Sequence, residues 1–212
     1  MQVISVNVGL PRTLTYGTRE VHTGGDKRPV REAMLRLLNF DGDGQADLSV
    51  HGGPDRAACV YSFDHYPFWE SWSGAELEPG AFSENLTIAG ISERVICIGD
   101  TFSCGDALVQ VSQPRLPCSK LGSKRRRTDL PEAIRTTLFT GFYLRVLREG
   151  MVRVGNPFEP VSVHLGRVSV AFASQVMLAQ RTSPDDFDRV LAVEELSPGW
   201  RESLMKRRGA SE

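Results

Sequence analysis

A single cysteine lies in a stretch of the sequence that is rich in prolines and cations, QVSQPRLPCSKLG. Proline fixes φ and lacks the backbone N–H donor, so a strand that runs into Pro114 must leave its sheet as a stiff segment. The neighbouring cations Arg115 and Lys120 favour the thiolate form of Cys118, and the thiolate is the form that binds soft metals. This pattern indicates that Cys118 is a metal ligand and the catalytic residue. A buried structural cysteine, the more common fate of a free thiol, is the alternative.

A glycine turn, VHGGPDRA, is the second candidate for chemistry. Gly52 and Gly53 permit backbone conformations that are closed to other residues, and successive N–H groups in such a turn can converge on an anion. Arg56 can add a bidentate contact to the same anion. The alternative is an ordinary β-turn with a solvated arginine. On the first interpretation, the anion site includes His51, Gly52, Gly53, Asp55 and Arg56.

The segment GAFSENL contributes Glu84 and Asn85 at the predicted start of a strand. The amide of Asn85 has both donors and an acceptor, so it can recognise the edge of a heterocycle. Glu84 can pair with a nearby cation. A purely structural role for both residues is the alternative.

The segment FDGDGQADLSVHGG resembles a calcium-binding loop, with Asp41, Asp43 and Gln45 at alternate positions. The sixth position of such a loop needs glycine for a sharp turn, and the twelfth needs a bidentate glutamate. Here those positions hold Ala46 and Gly52, so we reject a calcium site. We expect instead a tight turn of aspartate and glycine that precedes a strand.

Composition excludes several classes of protein. The four histidines are scattered and no two cysteines form a C-x-x-C pair, so neither a zinc site nor a disulfide framework is predicted. The net charge of −1 gives no general attraction to nucleic acid or to membranes. The N-terminus lacks the basic start of a signal peptide, and no apolar stretch approaches the roughly 20 residues of a membrane helix. We therefore expect a cytoplasmic protein with reduced cysteines.

The fold that positions these residues is predicted to be mainly β. The first two thirds of the chain carry short β-type runs, which turns rich in glycine and proline separate. Many short strands at such spacing favour a barrel or a sandwich, because closing the sheet removes exposed edges. Helices are predicted at residues 65–72 and after Asp129, with Pro131 near the first turn. Strands are predicted at residues 3–8, 46–51, 57–61, 86–88, 95–98, 101–104, 107–111, 141–150, 152–154 and 161–163.

The pattern changes after about residue 166. Apolar residues recur near helical spacing over residues 169–178. The run SPDD at residues 183–186 combines a capping serine, a proline and acidic residues, and predicts the start of a second helix. A third helix is predicted from about Ser197 to a cationic end. We therefore divide the chain into a β domain at residues 1–166 and a three-helix part at residues 167–212, which is too short to fold alone and must dock on the barrel or on a second subunit.

Three motifs in the same order resemble the MOSC domain family, named after the C-terminal domain of molybdenum cofactor sulfurase. They are GDGQADLSVHGGPDRAACVYSFDHYPFW, GAFSENLTIAGISERVICIGDTF and ALVQVSQPRLPCSKL. Within the family, the sequence is most similar to the bacterial YiiM type. Two positions depart from it: Ser83 stands where that type usually has glycine, and Leu10 stands where lysine is common. The resemblance implies a MOSC-type β-barrel with interspersed helices and a C-terminal three-helix appendage.

The resemblance also implies a cofactor and an activity. The cofactor is the molybdenum cofactor, in the form of molybdopterin without an added nucleotide, and Cys118 is the implied protein ligand to molybdenum. The implied activity is reduction of N-hydroxylated compounds, R–NHOH to R–NH2, including analogues of the hydroxylaminopurine type. The sequence shows no flavin or haem motif, so the electrons are expected from an external flavin- or haem-containing protein. Besides the glycine turn, the residues expected to contact the cofactor or the substrate are Arg12, Lys27, Asn85, Gln113 and Arg115.

Two other functions stay open on the same residues. In one, Cys118 carries sulfur as a persulfide and no metal binds. In the other, the pocket binds or stores the cofactor without catalysis. A homodimer is expected from the subgroup and from the need to bury the tail helices.

Overall fold

The computed structural model describes residues 1–16, 19–47, 52–116, 121, 127–179 and 182–209. Two of the predicted site residues, His51 and Cys118, lie outside these ranges. Within the ranges, no helix has both the length and the apolar content to cross a membrane.

The strands build one large sheet and two small ones. In chain order they are β1 (Gln2–Val8), β2 (Arg12–Tyr16), β3 (Arg19–Thr23), β4 (Arg28–Val30), β5 (Glu32–Leu35), β6 (Ala58–Ser62), β7 (Leu86–Ala89), β8 (Thr101–Cys104), β9 (Ala107–Pro114), β10 (Phe142–Arg148), β11 (Gly150–Arg153) and β12 (Phe158–Ser162). Eight of them form the large sheet in the order β12-β8-β9-β10-β6-β7-β1-β4. Within that order β6 and β7 run parallel, whereas the other described pairs run antiparallel. The small sheets pair β11 with β5 and β2 with β3.

The large sheet curls until its opposite sides approach each other. Its two end strands, β12 and β4, form no ladder with one another among the described residues. The start of β1 is nevertheless bonded to the segment that leads into β12. The Val3 N–H donates to the Asn156 carbonyl at 3.0 Å, and the Phe158 N–H donates to the Met1 carbonyl at 3.0 Å. The prediction of a mainly β fold is confirmed, and these hydrogen bonds join two sides of the curled sheet.

The main hydrophobic core lies against this sheet. In β9, Ala107, Val109 and Val111 are buried at alternate positions, because successive side chains of a strand point to opposite faces. Phe102 on β8 stacks on Phe158 on β12, with ring centroids 4.4 Å apart. The last four residues of β9 are all buried, and this end of the strand leads to the site described below.

The strand predicted at residues 95–98 is wrong, because this segment folds as turns around an isolated β-bridge. The N–H of Cys97 donates to the Asp100 carboxylate at 2.8 Å, which replaces a strand partner. Ile98 is buried because the segment packs against the C-terminal helical part, where the Ile98 N–H donates to the Val168 carbonyl at 2.9 Å. The apolar run was therefore wrongly predicted to be extended; three of its residues are buried, and Val95 is exposed.

Strands β2 to β5 are missing from the sequence-based prediction. The strands of the β2–β3 hairpin, RTLTY and REVHT, consist mainly of polar residues and show no apolar alternation, so the sequence gives little sign of a strand there. Of the strand predicted at residues 46–51, Ala46 and Asp47 are described and belong to no strand, and the rest lies outside the described residues. The strand predicted at residues 161–163 corresponds to β12, which begins three residues earlier.

Two helices interrupt the sheet where the sequence predicts them. They are α1 (Tyr66–Ser73) and α2 (Leu130–Thr137). Trp69 on α1 donates its indole N–H to the Tyr61 hydroxyl at 2.7 Å, and Tyr61 stacks on Phe82 with centroids 4.2 Å apart. This aromatic cluster covers the sheet beside the segment that contains Glu84 and Asn85.

The C-terminal part consists of three helices, as predicted. They are α3 (Val170–Leu178), α4 (Pro184–Leu191) and α5 (Pro198–Gly209). A serine hydroxyl accepts a backbone N–H of the first turn at the start of each helix, and the three serines are Ser169, Ser183 and Ser197. Phe187, Trp200 and other buried residues of these helices form a second core with Ile98. The helices therefore dock on the β domain of the same chain, one of the two arrangements expected from the sequence.

Candidate functional site

One cavity brings together several of the predicted site residues. It opens to solvent, and the empty space along its walls, open solvent included, amounts to about 850 Å³. Its wall includes three cationic side chains and, among the residues that the structure describes, no carboxylate. The described residues that line it are Val21, Thr23, Gly24, Gly25, Lys27, Gly44, Gln45, Ala46, Gly52, Arg56, Cys59, Ser83, Asn85, Arg115, Leu121 and Tyr143.

Five predicted residues therefore meet at this cavity: Lys27, Gly52, Arg56, Asn85 and Arg115. Four others are not among the described lining residues, and they are Arg12, Gly53, Asp55 and Gln113. The wall also contains residues that the sequence did not single out, chiefly the Thr23-Gly24-Gly25 segment, Cys59 and Tyr143. The two glycines before Asp26-Lys27 repeat the pattern of the predicted glycine turn, and this repeat is the sequence signal that could have indicated the Thr23-Gly24-Gly25 part of the wall.

Lys27 is held by a buried aspartate behind the cavity wall. Its ammonium forms an ion pair with the Asp43 carboxylate, and the two side chains are only 8% and 0% exposed. Asp43 also accepts the Gly9 N–H at 2.8 Å and the Asn85 amide at 2.9 Å. The rejected calcium loop thus supplies a carboxylate that fixes a cation. Among the described residues, no group of three or more candidate ligand side chains can hold a metal ion.

Asn85 joins the strands on which the wall is built. Its carbonyl oxygen accepts the Cys59 N–H at 3.0 Å. Its amide donates to the Asn7 carbonyl at 3.2 Å and to Asp43. These contacts connect β6 and β1 to the Asp43 loop, so Asn85 rigidifies the wall that it lines. Its predicted contact with a heterocycle stays a prediction.

Glu84 is a structural residue. Its carboxylate is fully buried and accepts hydrogen bonds from neutral donors at 2.5–3.0 Å. Burial, followed by the Glu84 charge, raises the pKa of Tyr66, so the Tyr66 phenol remains a donor. None of these donors is a cation, which supports the structural interpretation of this residue. Those donors are the Tyr66 and Thr87 hydroxyls and the Gly80 and Phe82 N–H groups.

Replacing Glu84 with glutamine is expected to lower the free energy of unfolding by about 2–3 kcal/mol. Each carboxylate oxygen accepts a backbone N–H, Gly80 on one and Phe82 on the other. Whichever oxygen becomes the amide NH2, a buried donor then faces a donor. Urea unfolding measures the change. The same substitution at exposed Glu159 on β12 is the control and should change stability by less than about 0.5 kcal/mol; equal stability of Glu84→Gln and wild type would contradict these hydrogen bonds.

Ser83 shows how the chain accommodates its departure from glycine. Its backbone adopts the left-handed region at φ 62°, which favours glycine. Its hydroxyl donates to the Gly25 carbonyl at 2.6 Å, across the cavity wall. The cost of the left-handed conformation is therefore offset by a hydrogen bond that a glycine could not make.

The exit of β9 is anchored on a buried network. The Arg115 N–H donates to the Gly141 carbonyl at 3.1 Å, and the Gly141 N–H donates to the Glu93 carboxylate at 2.8 Å. The other oxygen of Glu93 lies 2.7 Å from Nε2 of His65, whose ring stacks on Phe139. The strand therefore ends at a fixed point, and the buried Arg115 side chain lines the cavity from there.

The glycine turn continues as a short 3-10 helix over Pro54–Arg56. Asp55 forms an ion pair with Arg145 on β10, with 2.6 Å between the Asp55 Oδ1 and the Arg145 Nη2. Arg56 lines the cavity, and its Nε donates to the Gln113 side chain at 3.4 Å. The sequence analysis predicts that Asp55 and Gln113 contact the cofactor. In the structure Asp55 contacts Arg145, and Gln113 contacts Arg56.

Arg12 lies on the hairpin β2–β3 and is half-exposed. Its guanidinium pairs with Asp26, next to Lys27. Arg12 is thus connected through Asp26 to the segment that carries Lys27, and it is not among the described lining residues of the cavity. His51 and Cys118 were predicted as a cofactor contact and as the metal ligand, and both predictions fall outside the described residues.

A mainly β fold with interspersed helices and a C-terminal three-helix part is the arrangement that the sequence motifs implied. The family model for the MOSC domain matches residues 47–159, and the model "YiiM-like, 3-alpha helix domain" matches residues 168–208. The chain belongs to the MOSC domain family.

Within that family, the similarity is to proteins of the YiiM type. The chain is 46% identical over 207 residues to "Uncharacterized protein YflK" of Bacillus subtilis, covering 97% of this chain and 94% of that protein. It is 39% identical over 180 residues to "Protein YiiM" of Escherichia coli, covering 84% and 80% of the two chains. The crystal structure of YiiM from Geobacillus stearothermophilus superimposes with a TM-score of 0.83 at 37% identity, over 97% of this chain and 98% of that one.

A more distant relative carries a functional name. A protein of Gibberella moniliformis named "Reductase" is 36% identical over 142 residues, which is 64% of this chain and 25% of that protein. The similarity therefore covers one region of a much longer protein.

Proposed function

We propose that this protein is a molybdenum-cofactor-dependent reductase of N-hydroxylated compounds, with Cys118 as the protein ligand to molybdenum. The observation that carries the proposal is the cavity at the exit of β9. Lys27, Arg56 and Arg115 line it, and no carboxylate is among its described wall residues. A wall of this charge suits an anionic group rather than a free cation.

The residues present fit a phosphorylated pterin. Lys27 and the two arginines are donors without an acceptor, as a phosphate requires. Glycine at positions 24, 25, 44 and 52 leaves parts of the wall as bare backbone, which a flat ring system can approach closely. The cysteine that would bind the metal follows the anchored Arg115 by three residues, and covalent geometry keeps its Cα within about 11 Å of the Arg115 Cα.

Different residues have different parts in this proposal. Lys27, Arg56 and Arg115 hold the phosphate, and Arg12 and His51 add to the rim. Asn85, Gln113, Gly53 and Asp55 contact or support the bound group. The cofactor supplies two-electron chemistry when bound. The overall reaction adds two electrons and two protons to R–NHOH and yields R–NH2 and water, with the electrons coming from an external flavin- or haem-containing protein.

The chain should be purified from a host that synthesises the cofactor, and its molybdenum and pterin contents measured. About one molybdenum and one pterin per chain are expected, together with turnover of a hydroxylaminopurine by a chemically reduced dye. Absence of molybdenum together with a labile persulfide would favour a sulfur carrier. Bound molybdenum without turnover of any N-hydroxylated compound would favour a non-catalytic binding protein. Either result would overturn the proposal. A cytoplasmic location and a homodimer remain predictions.

A further inference from the structure

The last helix of the chain begins beside the cavity. The Ser197 N–H donates to the Ser112 carbonyl on β9 at 3.0 Å. The Ser197 hydroxyl accepts the Trp200 N–H at 3.3 Å and donates to the side-chain oxygen of Gln113 at 2.6 Å. Ser197 is 1% exposed, so the N-cap of α5 is enclosed between the helix and the sheet.

Gln113 connects this cap to Arg56. Its side-chain oxygen accepts both the Ser197 hydroxyl and the Arg56 Nε–H. The first turn of α5 also adjoins the guanidinium, because a Cβ added at Gly199 would lie 3.9 Å from the Arg56 Nη2. One face of the Arg56 side chain is thus bounded by the C-terminal part, while the side chain lines the cavity.

A second link holds the same 3-10 turn. The Arg145 Nη2 donates to the Glu195 carbonyl at 2.8 Å, two residues before Ser197. The Arg145 Nε donates to the Asp55 carboxylate at 2.8 Å. The backbone carbonyl of Asp55 accepts the Ser112 hydroxyl at 2.6 Å. The turn that carries Arg56 is therefore bonded to the segment 195–197 both through Arg145 and through Gln113.

We propose that the C-terminal helical part positions Arg56 for anion binding, with Ser197 and Gln113 as the positioning residues. An arginine side chain loses conformational entropy when it binds a ligand, and this loss weakens binding. Because Gln113 already holds the Arg56 Nε, part of that entropy is lost before the anion binds. The affinity of the cavity for phosphate then depends on a residue outside the region 47–159 that the MOSC model matches. The inference rests on the proposed function in taking Arg56 as a phosphate contact.

The test uses the cofactor-free full chain and inorganic phosphate as the probe. Phosphate is titrated by NMR on the Arg56 Nε–Hε signal, which is assigned by its loss in Arg56→Lys. Ser197→Ala is compared with Ser183→Ala, because Ser183 caps α4 in the same way, accepting the Asp186 N–H at 3.2 Å. Both variants lose one N-cap, and Ser197→Ala also loses the buried hydrogen bond to Gln113, so its Tm should fall further than that of Ser183→Ala.

Only Ser197→Ala is expected to weaken phosphate binding, about five- to tenfold, and to lower the order parameter of the Arg56 Nε–H. Gln113→Leu should reproduce both effects, and it serves as the second variant if Ser197→Ala does not fold. The double variant should add little to either single one, since both remove the same connection.

Equal phosphate affinity in Ser197→Ala and Ser183→Ala, or a wild-type Arg56 signal that phosphate does not shift, would overturn the inference. The molybdenum and turnover measurements separate this result from a failure of the proposed function. A chain that carries molybdenum and turns over, but whose two serine variants bind phosphate equally, keeps the function and loses the inference. A chain with the expected phosphate results and no molybdenum loses the function and keeps the positioning role.

Discussion

Cys118→Ala is expected to lose at least about 100-fold of the molybdenum-dependent turnover while the chain stays folded. Changes to residues that only support metal ligands cost about 10- to 100-fold, and removal of the ligand itself should cost more. Cys118 follows the last residue of β9 by four positions, so on the proposed function its replacement should remove a metal ligand and leave the strand in place. Turnover of a hydroxylaminopurine, molybdenum content and Tm are measured on the same preparation.

Cys104→Ala is the matched control for this variant. Cys104 lies on β8 and is fully buried, and burial raises the pKa of its thiol to about 12. It is therefore a neutral packing residue at physiological pH, and its replacement should cost about 1 kcal/mol of stability and leave turnover unchanged. Cys118→Ala should thus lose turnover and keep its Tm, whereas Cys104→Ala should keep turnover and lose some stability.

Cys59 is the alternative candidate for the metal ligand, because it lies on β6 and lines the cavity. Cys59→Ala is expected to keep its molybdenum and to retain turnover. Normal turnover in Cys118→Ala would show that the ligand assignment is wrong. If Cys59→Ala lost the metal at the same time, Cys59 would be the ligand.

Gly141→Ala is expected to lower the free energy of unfolding by about 4 kcal/mol or to prevent folding. Gly141 has φ 69°, and an added Cβ would lie 2.4 Å from the Val60 carbonyl oxygen and 3.0 Å from a ring carbon of Tyr61. Val60 belongs to β6 and pairs with Phe142, the residue after Gly141. Neither backbone can move away without breaking the centre of the sheet.

Gly141→Ala should also weaken anion binding in the cavity. Gly141 accepts the Arg115 N–H and donates to Glu93, so a displaced Gly141 shifts the point at which β9 ends. Phosphate binding by any folded fraction of Gly141→Ala is therefore expected to weaken. Urea unfolding measures the first effect, and titration with inorganic phosphate measures the second.

Gly155→Ala is the control that isolates the steric clash. Gly155 also has a left-handed backbone, with φ 86°, but nothing lies within 4 Å of an added Cβ. It should cost only the left-handed conformation, about 1–2 kcal/mol. Equal losses in Gly141→Ala and Gly155→Ala would show that β6 and β10 yield more easily than the structure indicates.

Local patterns were enough to predict much of the fold. Ser183 before a proline and two aspartates predicts the start of α4, because a serine cap and an acidic first turn satisfy the free N–H groups of a helix. The alternation in β9 and the proline at its end predict a strand that ends near Pro114. These signals depend on neighbours within a few residues. Local signals did not predict the turn at residues 95–98, because its hydrogen-bond partners are the Asp100 side chain and the distant backbone of Val168.

The amino-acid order by itself determined the mainly β class, the three capped helices, and the motifs that indicate the family. Only the tertiary structure decided which charges share a wall. Asp43 lies 16 residues from Lys27 and 42 from Asn85, and Ser197 lies 84 residues from Gln113. Such contacts follow from how the sheet curls and where the helices dock, and no periodicity along the chain encodes them. The glutamate of GAFSENL, which the sequence left open as an ion-pair partner, is for this reason a buried acceptor of neutral donors.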